Sequence, residues 1–343
     1  MTLVATRYGK MRILESDQIV SGSLALYGEW AEDEMSLLAG FISPGSCVLD
    51  VGAFIGTHTL AFARLVGPHG KVYAFEPRRE VYAVLSENIA TNDCRNVSAL
   101  NIGLGSRHAR LMLPRIDLAS QGNFGGLQLA GNAEVRDGYE IEVSTLDALD
   151  IGRIDLIKLD VEGMERQVLD GAVQSIRRHQ PILFCECNSI NAGADLLEFC
   201  KDNGYAAYAF LASAFNPDNF NRIEEDIFED SRELGLLLIP VSKLEVDAQT
   251  GVSSRLCRVE TLEDLVLPLL HKPQYAHEVL ATTAAGSALG IHFPSPAVDE
   301  YVAQVAVLQK EIARVKSTVS WRITKPLRAL WNLWRSLLSR TAK

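Results

Sequence analysis

From Cys47 to about Pro240, short apolar runs alternate with stretches in which apolar side chains recur every three or four positions. The runs CVLDV, KVYAFEP, VSALNIGL, IDLIKLDV and PILFCEC read as buried strands, and AAYAFL and LGLLLIP as two more that close a sheet. Between them, THTLAFARLV, REVYAVLSENIATN, EGMERQVLDGAVQSIRRH and the segment around GADLLEFCKDNG carry helical spacing. Strands that are apolar throughout and alternate with helices predict a parallel sheet covered on both faces, an α/β doubly wound fold. The rhythm breaks over 105–140, where Gly103, Gly105, Gly122, Gly125, Gly126, Gly131 and Gly138 punctuate strand-like pieces at ARLML and YEIEVS. A long segment between two core strands is either a lid over a functional site or an edge hairpin. The pattern predicts lead-in strands and a helix over 1–45, a main domain over 46–241 and a connector over 242–296 with one helix near TLEDLVLPLL. A helical tail follows over 297–343.

Composition narrows the classes. The chain has 343 residues, enough for one large domain with extensions or for two. Its net charge of −10 argues against a nucleic-acid partner. The charge is uneven: 312–343 holds eight Lys and Arg and no Asp or Glu, so removing those eight from −10 leaves −18 for the rest. The six cysteines show no zinc-type pairing. Cys185 and Cys187 alternate along one strand and are expected to pack in the core. No apolar run reaches signal-peptide or membrane-spanning length, which places the expected compartment in a reducing cytoplasm.

The candidate chemistry starts at VLDVGAFIGTHTL. A strand ending in Asp50, followed by Gly52 and Gly56, sets a glycine turn at the carboxyl edge of the sheet, where open α/β sheets bind ligands. The spacing is GxxxG rather than GxGxxG and no phosphate-cradling lysine follows, so a pyrophosphate ligand is disfavoured. Glu76, 26 residues after Asp50, ends the next strand, where a carboxylate can accept from both hydroxyls of a ribose. A nucleoside-bearing ligand without a phosphate chain fits both features, and S-adenosylmethionine is such a ligand. Asp160 ends the fourth strand with Glu162 and Gly163 directly after it, which brings two carboxylates beside the first turn. Glu186 ends the fifth strand and either faces the same cleft or is structural.

The blocks YGEWAEDE, VLDVGAFIGTHTL, VYAFEP, STLDAL, IDLIKLDVEGMERQVLDGA and FNPDNF resemble the FkbM-type methyltransferase family over roughly 10–241. The resemblance implies a Rossmann-like seven-stranded sheet with its last strand antiparallel, S-adenosylmethionine as cofactor, and methylation of a hydroxyl on a sugar or polyketide-like acceptor. By position, Asp50, Gly52 and Gly56, with the adjoining Ala53 and Thr57, and Glu76 with Pro77 would hold the cofactor. Asp160 and Glu162 would lie at the reaction centre. The family commonly has Asn where this chain has Phe54. An alcohol is a poor nucleophile, so a positioned base is expected, with Asp160, Glu162 and His58 the candidates. Glu186, Asn216 and Asn219 are candidates for holding the acceptor, and no spacing demands a metal.

The tail adds a location. Val298, Val302, Val305, Leu308, Ile312 and Val315 fall on one helical stripe, a candidate for self-association through 298–315. Over 317–340, Leu327, Leu330, Trp331, Trp334, Leu337 and Leu338 share a face flanked by Arg328, Arg335 and Arg340. That pattern suits peripheral contact with an anionic membrane, here the inner face of the inner membrane, or docking on protein. The SWRITKPLR element is similar to tails of bacterial glycosyltransferases and methyltransferases of surface-polysaccharide assembly. The expectation is an O-methyltransferase acting on a sugar hydroxyl of a bacterial surface glycan or glycolipid precursor. The alternatives are a methyltransferase of a small secondary metabolite, a nicotinamide oxidoreductase and a non-catalytic nucleoside-binding module.

Overall fold

The computed structural model describes residues 2–115, 138–244 and 255–270. The chain divides into two compact units, Met1–Ala276 and His277–Lys343, and every described residue belongs to the first. The helices expected over 298–315 and 317–340, and the 116–137 part of the glycine-rich stretch, lie outside the described residues.

An N-terminal hairpin, β1 (Leu3–Thr6) and β2 (Gly9–Arg12), leads into α1 (Val20–Leu26) and α2 (Glu32–Ala39). The hairpin is tied down by amide side chains: Asn88 Oδ1 accepts from Arg12 N at 2.6 Å and Asn92 Oδ1 from Lys10 N at 3.0 Å. The main domain then runs β3 (Cys47–Val51), α3 (Thr57–Val66), β4 (Lys71–Phe75), α4 (Arg79–Thr91), β5 (Val97–Leu100), β6 (Gly103–Leu104), β7 (Ala109–Pro114) and β8 (Gly138–Ser144). It continues with β9 (Leu156–Leu159), α5 (Glu165–Asp170), α6 (Val173–His179), β10 (Ile182–Glu186), α7 (Ile190–Asn203), β11 (Tyr205–Ser213) and β12 (Arg232–Pro240), and ends in β13 (Cys257–Val259) and α8 (Leu262–Leu270).

The central sheet has the order β5-β4-β3-β9-β10-β12-β11-β13. Strands β5, β4, β3, β9 and β10 are parallel. β12 runs antiparallel to both β10 and β11, and β13 antiparallel to β11. The expected seven strands are therefore eight. The additional edge strand pairs Val259 with Ala207 and Cys257 with Ala209, and it comes from the segment expected to be connector. Three residues without alternation carry no strand signal of their own; the edge of β11 supplies the pairing groups. The helix expected near TLEDLVLPLL is α8.

Alternate residues of the buried strands feed two cores. Val48, Leu156, Ile182 and Phe184 pack with Met35, Leu38 and Phe62 of α2 and α3 on one face. Leu49, Ile157, Leu183 and Cys185 pack with Val168, Ile176 and Leu196 of α5, α6 and α7 on the other. Burial on both faces is why these strands read as continuous apolar runs. Cys185 and Cys187 are both fully buried in the second core, as expected.

The helix expected over 162–179 is two helices. A Cβ on Gly171 would lie 2.0 Å from the Gly105 carbonyl oxygen, so the chain bends where two backbones touch. Asp147, of the STLDAL block, then accepts from Gln174 N at 2.9 Å and Ser175 N at 2.7 Å, satisfying two donors of the first turn of α6. In the 105–140 region, β7 and β8 form an antiparallel pair, with β6 parallel to β8, in a separate three-stranded sheet. Tyr139 fixes that sheet to the start of α4 by donating to Glu80 at 2.7 Å and accepting from Arg79 N at 3.0 Å. Among the described residues, no helix is long and apolar enough to cross a membrane.

Candidate active site

Successive strands β3, β4 and β5 step one way across the sheet, and β9 and β10 step the other. The chain order thus reverses between β3 and β9, the place where the carboxyl ends of such strands leave a crevice. The residues at that point form a cleft, floored by the turn after β3 and the end of β9 and walled by Trp30, Phe184 and Gly235.

Backbone builds one side of it. Gly52 and Ala53 both donate to the Phe75 carbonyl at 3.0 Å, folding the turn against β4. Gly52 has φ 86°, and a Cβ there would sit 1.8 Å from the Asp160 carbonyl oxygen. Only glycine lets β3 and β9 come together in this way. Phe54 has φ 49°, a left-handed conformation that costs asparagine less than phenylalanine. Phe54 N and Arg78 N donate to the two oxygens of Glu76 at 3.1 and 2.8 Å. Glu76 is only 6 % exposed. Burial pushes its pKa up to about 7, against the pull of those N–H groups and the Arg78 guanidinium. Gly52, Ala53, Thr57, His58, Glu76 and Pro77 all line the cleft.

Asp50 and Gly56 are not among the lining residues. Asp50 is fully buried beneath the turn, where Thr59 Oγ1 donates to its Oδ2 at 2.6 Å. Gly56 precedes α3 with φ 96° and packs on Leu85. In this structure the two support the turn, and Asp50 keeps its Oδ1 without a hydrogen-bond partner among the described residues.

Side chains build the other side. Lys158 is 2 % exposed, and its Nζ lies 2.9 Å from Asp160 Oδ2. Burial works against the lysine's charge, but Asp160, Glu34 and Asp50 outweigh it and raise its pKa. Burial likewise disfavours the Asp160 carboxylate, yet Lys158 holds it below the usual range. Glu162 has φ 52° and Gly163 φ 89°, so the chain turns left-handed as it leaves β9 and carries the Glu162 carboxyl into the cleft. Burial, with Asp160, Glu165 and Glu233 nearby, pushes Glu162 up to about 7. Glu186 is raised well above the carboxylate range by burial and by Asp160 and Glu162. Asp160, Glu162 and Glu186 each bring one carboxylate oxygen within 4.8 Å of the others, close enough to face a common cation. Glu165 is engaged locally, accepting from Val161 N at 3.1 Å and Gly163 N at 3.2 Å.

Asn216 and Asn219 do not reach the cleft. Asn216 Nδ2 donates to Glu29 at 2.7 Å, and Asn219 Nδ2 to the carbonyls of Ile223 at 2.7 Å and Asn216 at 3.1 Å. In a turn containing proline their amides satisfy backbone and tie the β11–β12 connection to Glu29. Conversely, Trp30, Glu34, Lys158 and Glu233 line the cleft and were not singled out from the sequence. Lys158 carried a usable signal, a lone cation inside LIKLD, because lysine is almost never buried unless paired.

Comparison with known proteins fits this geometry. Residues 50–207 match the family model described as Methyltransferase FkbM domain. Methyltransferase sdnD of Sordaria araneosa is 32% identical over 156 residues, covering 36% of this chain and 59% of that protein. The match thus spans about three fifths of the length of that curated relative. Among solved structures, methyltransferase FkbM from Methylobacillus flagellatus KT has 18% identity and a TM-score of 0.38, covering 57% of this chain and 44% of its own. A SAM-dependent O-methyltransferase from Thermotoga maritima has 12% identity and a TM-score of 0.37, covering 70% of this chain and 77% of its own. The chain carries a methyltransferase domain. Residues 50–207 are similar to the FkbM-type methyltransferase domain, and S-adenosylmethionine is the cofactor expected of such a domain. The residues present fit that group: Glu76 offers a carboxylate for ribose hydroxyls, the Gly52 turn lines the cleft with backbone, and ionised Asp160 suits a sulfonium.

Proposed function

We propose that the protein is an O-methyltransferase that methylates a hydroxyl of a sugar in a bacterial surface glycan or glycolipid precursor. The bound donor supplies a methyl group on a positively charged sulfur, open to in-line attack by an oxygen. The chain's own residues do the rest. The Gly52–Phe54 turn and Glu76 orient the nucleoside end, so that the reacting atoms meet in a fixed geometry. Asp160, kept ionised by Lys158, sets a fixed negative charge at the end of β9. Glu162 takes the hydroxyl proton as the oxygen attacks. A carboxylate near 7 is about half ionised at neutral pH and still basic enough to accept that proton.

The observation that carries this reading is the pairing of one carboxylate held low with another held high in the same cleft, Asp160 and Glu162. Separated pKa values of this kind assign a charge role and a proton-transfer role. The sugar acceptor and the site at the membrane's inner face rest on the family resemblance and on the Trp- and Arg-bearing segment 317–340. Self-association through 298–315 is part of the same proposal. The test is methyl transfer from labelled donor to envelope glycans of cells lacking the protein. Label recovered as an O-methyl sugar with the native chain, and lost with Glu162→Gln, is the expected result. Label that never enters the glycan overturns the acceptor class.

A further inference from the structure

The acid-rich stretch from Glu29 to Glu34 holds four carboxylates, and three of them are taken up by structure. Glu29 accepts from Arg7 Nε at 2.8 Å, Asn216 Nδ2 at 2.7 Å and Phe220 N at 2.8 Å. Glu32 accepts the Tyr8 hydroxyl at 2.9 Å. Asp33 accepts from Ser213 N at 2.8 Å and from the fork of Arg255, two contacts of 2.6 Å. Glu34 faces the cleft instead, beside His58. Its side chain, 13% exposed, lines the cleft with Lys158 and Asp160. Its Oε1 lies 3.2 Å from His58 Nε2, an ion-pair distance, yet off the direction of a hydrogen bond. Neither of these buried atoms has a hydrogen-bond partner among the described residues. Buried polar atoms in native proteins are nearly always satisfied, and the Glu34 carboxylate, at the wall of the cleft, is placed to take a donor from what binds there.

The rest of that end of the cleft has the same sign. Glu162, Glu186 and Glu233 line it, and Trp30 adds an apolar ring face. Against these carboxylates stand Lys158, already paired with Asp160, and Arg78, beside Glu76 at the β4 side. Burial and the nearby Asp160 hold Glu162 and Glu186 above their ordinary range, the direction expected where carboxylates crowd one cleft. A further anion would be repelled at close range, and a hydroxyl-rich or cationic group would relieve the repulsion.

We infer that the acceptor end selects by charge: it takes a polyhydroxylated ring that is neutral or bears an amino group, excludes one bearing a carboxylate or phosphate, and uses Glu34 to accept a hydrogen bond from it. This rests on the methyltransferase reading of the cleft. The acidic rim turns away uronic acids and sugar phosphates at the reacting ring, and the Trp30 face takes the ring's C–H surface.

The test uses the full chain saturated with S-adenosylhomocysteine, whose own binding is measured first by calorimetry. Three methyl glycosides with the same ring are then titrated: glucoside, glucosaminide and glucuronide. The expected result is binding of the first two, with the glucosaminide at least about 10-fold tighter than the glucuronide, and a ratio that falls by about 3-fold or more in Glu34→Gln. Affinity for S-adenosylhomocysteine is measured in the same variant, and the glycoside ratio is taken on the complex saturated with it, so that a change at the donor end is read separately. A glucuronide that binds as well as the glucosaminide overturns the inference, as does a complex that binds none of the three. An unchanged ratio in Glu34→Gln removes Glu34 from it. If the variant melts early, the native charge series still decides the selection. Failure of S-adenosylhomocysteine itself to bind brings down the methyltransferase reading instead, and the inference with it.

Discussion

The two sides of the cleft are made in different ways. The side after β3 and β4 is backbone: glycine φ angles, two N–H groups on Glu76, and a turn hung from one carbonyl, all within residues 50–78. The opposite side is assembled from Trp30 and Glu34 near the N-terminus, Lys158 to Glu162 after β9, Glu186, and Glu233 on β12. The first side is local and intolerant of change. The second is composite, held by long-range bonds such as Asn216 to Glu29.

That contrast can be broken or sharpened by substitution. The largest effect is expected from Gly52→Ala, where a Cβ would enter the Asp160 carbonyl and the backbone has φ 86°. The cost, about 4 kcal/mol or more, would appear as loss of the cooperative denaturation transition. Glu162→Gln should lower turnover by about 10²- to 10⁴-fold with donor affinity kept, as read by steady-state kinetics beside calorimetry. The active form of Glu162 is the carboxylate, so kcat/KM of the native enzyme should rise as pH climbs through about 7, and the variant's profile should be flat there. Lys158→Met leaves the part-exposed Asp160 without its counter-charge and should cost about 2 kcal/mol in chemical denaturation. The smallest effect is expected from Asn216→Ala, about 1 kcal/mol of stability, with unchanged donor affinity. A donor affinity that fell with Asn216→Ala as far as with Gly52→Ala would erase the distinction between the two sides.

Stability should also follow the raised carboxyls. Glu76 binds its proton more tightly folded than unfolded, so its contribution is fully present below the ordinary Glu pKa of 4.5 and is lost as pH rises through about 7. Glu76→Gln should flatten that decline between those two values in denaturant titrations.

How much of this was legible beforehand follows the same division. Gly52, Glu76, Asp160 and Glu162 stand at strand ends, where topology alone aims them at one crevice, and the structure brings them together there. Asp50 also ends a strand, yet it turns beneath the sheet to Thr59. The pleat decides between the two, and the motif spacing does not record it. Asn216 and Asn219 looked like ligand-binding amides, but a turn uses such groups for itself. Glu34 could not be separated from Glu29, Glu32 and Asp33 by sequence, because the difference lies in partners up to 222 residues away. The eighth strand was invisible for a similar reason: three residues pair because β11 presents an edge, and no pattern in CRV demands it.

The central claim is that the crevice between β3 and β9 binds a sulfonium nucleoside through Glu76 and the glycine turn. Calorimetric titration of the full chain with S-adenosylmethionine and S-adenosylhomocysteine, native and Glu76→Ala, tests it most directly. The account predicts one site per chain for both ligands, with affinity at least about 10-fold weaker once the carboxylate is gone. Folded protein that gives no heat with either ligand, or a Glu76→Ala variant that binds as well as the native chain, would contradict it.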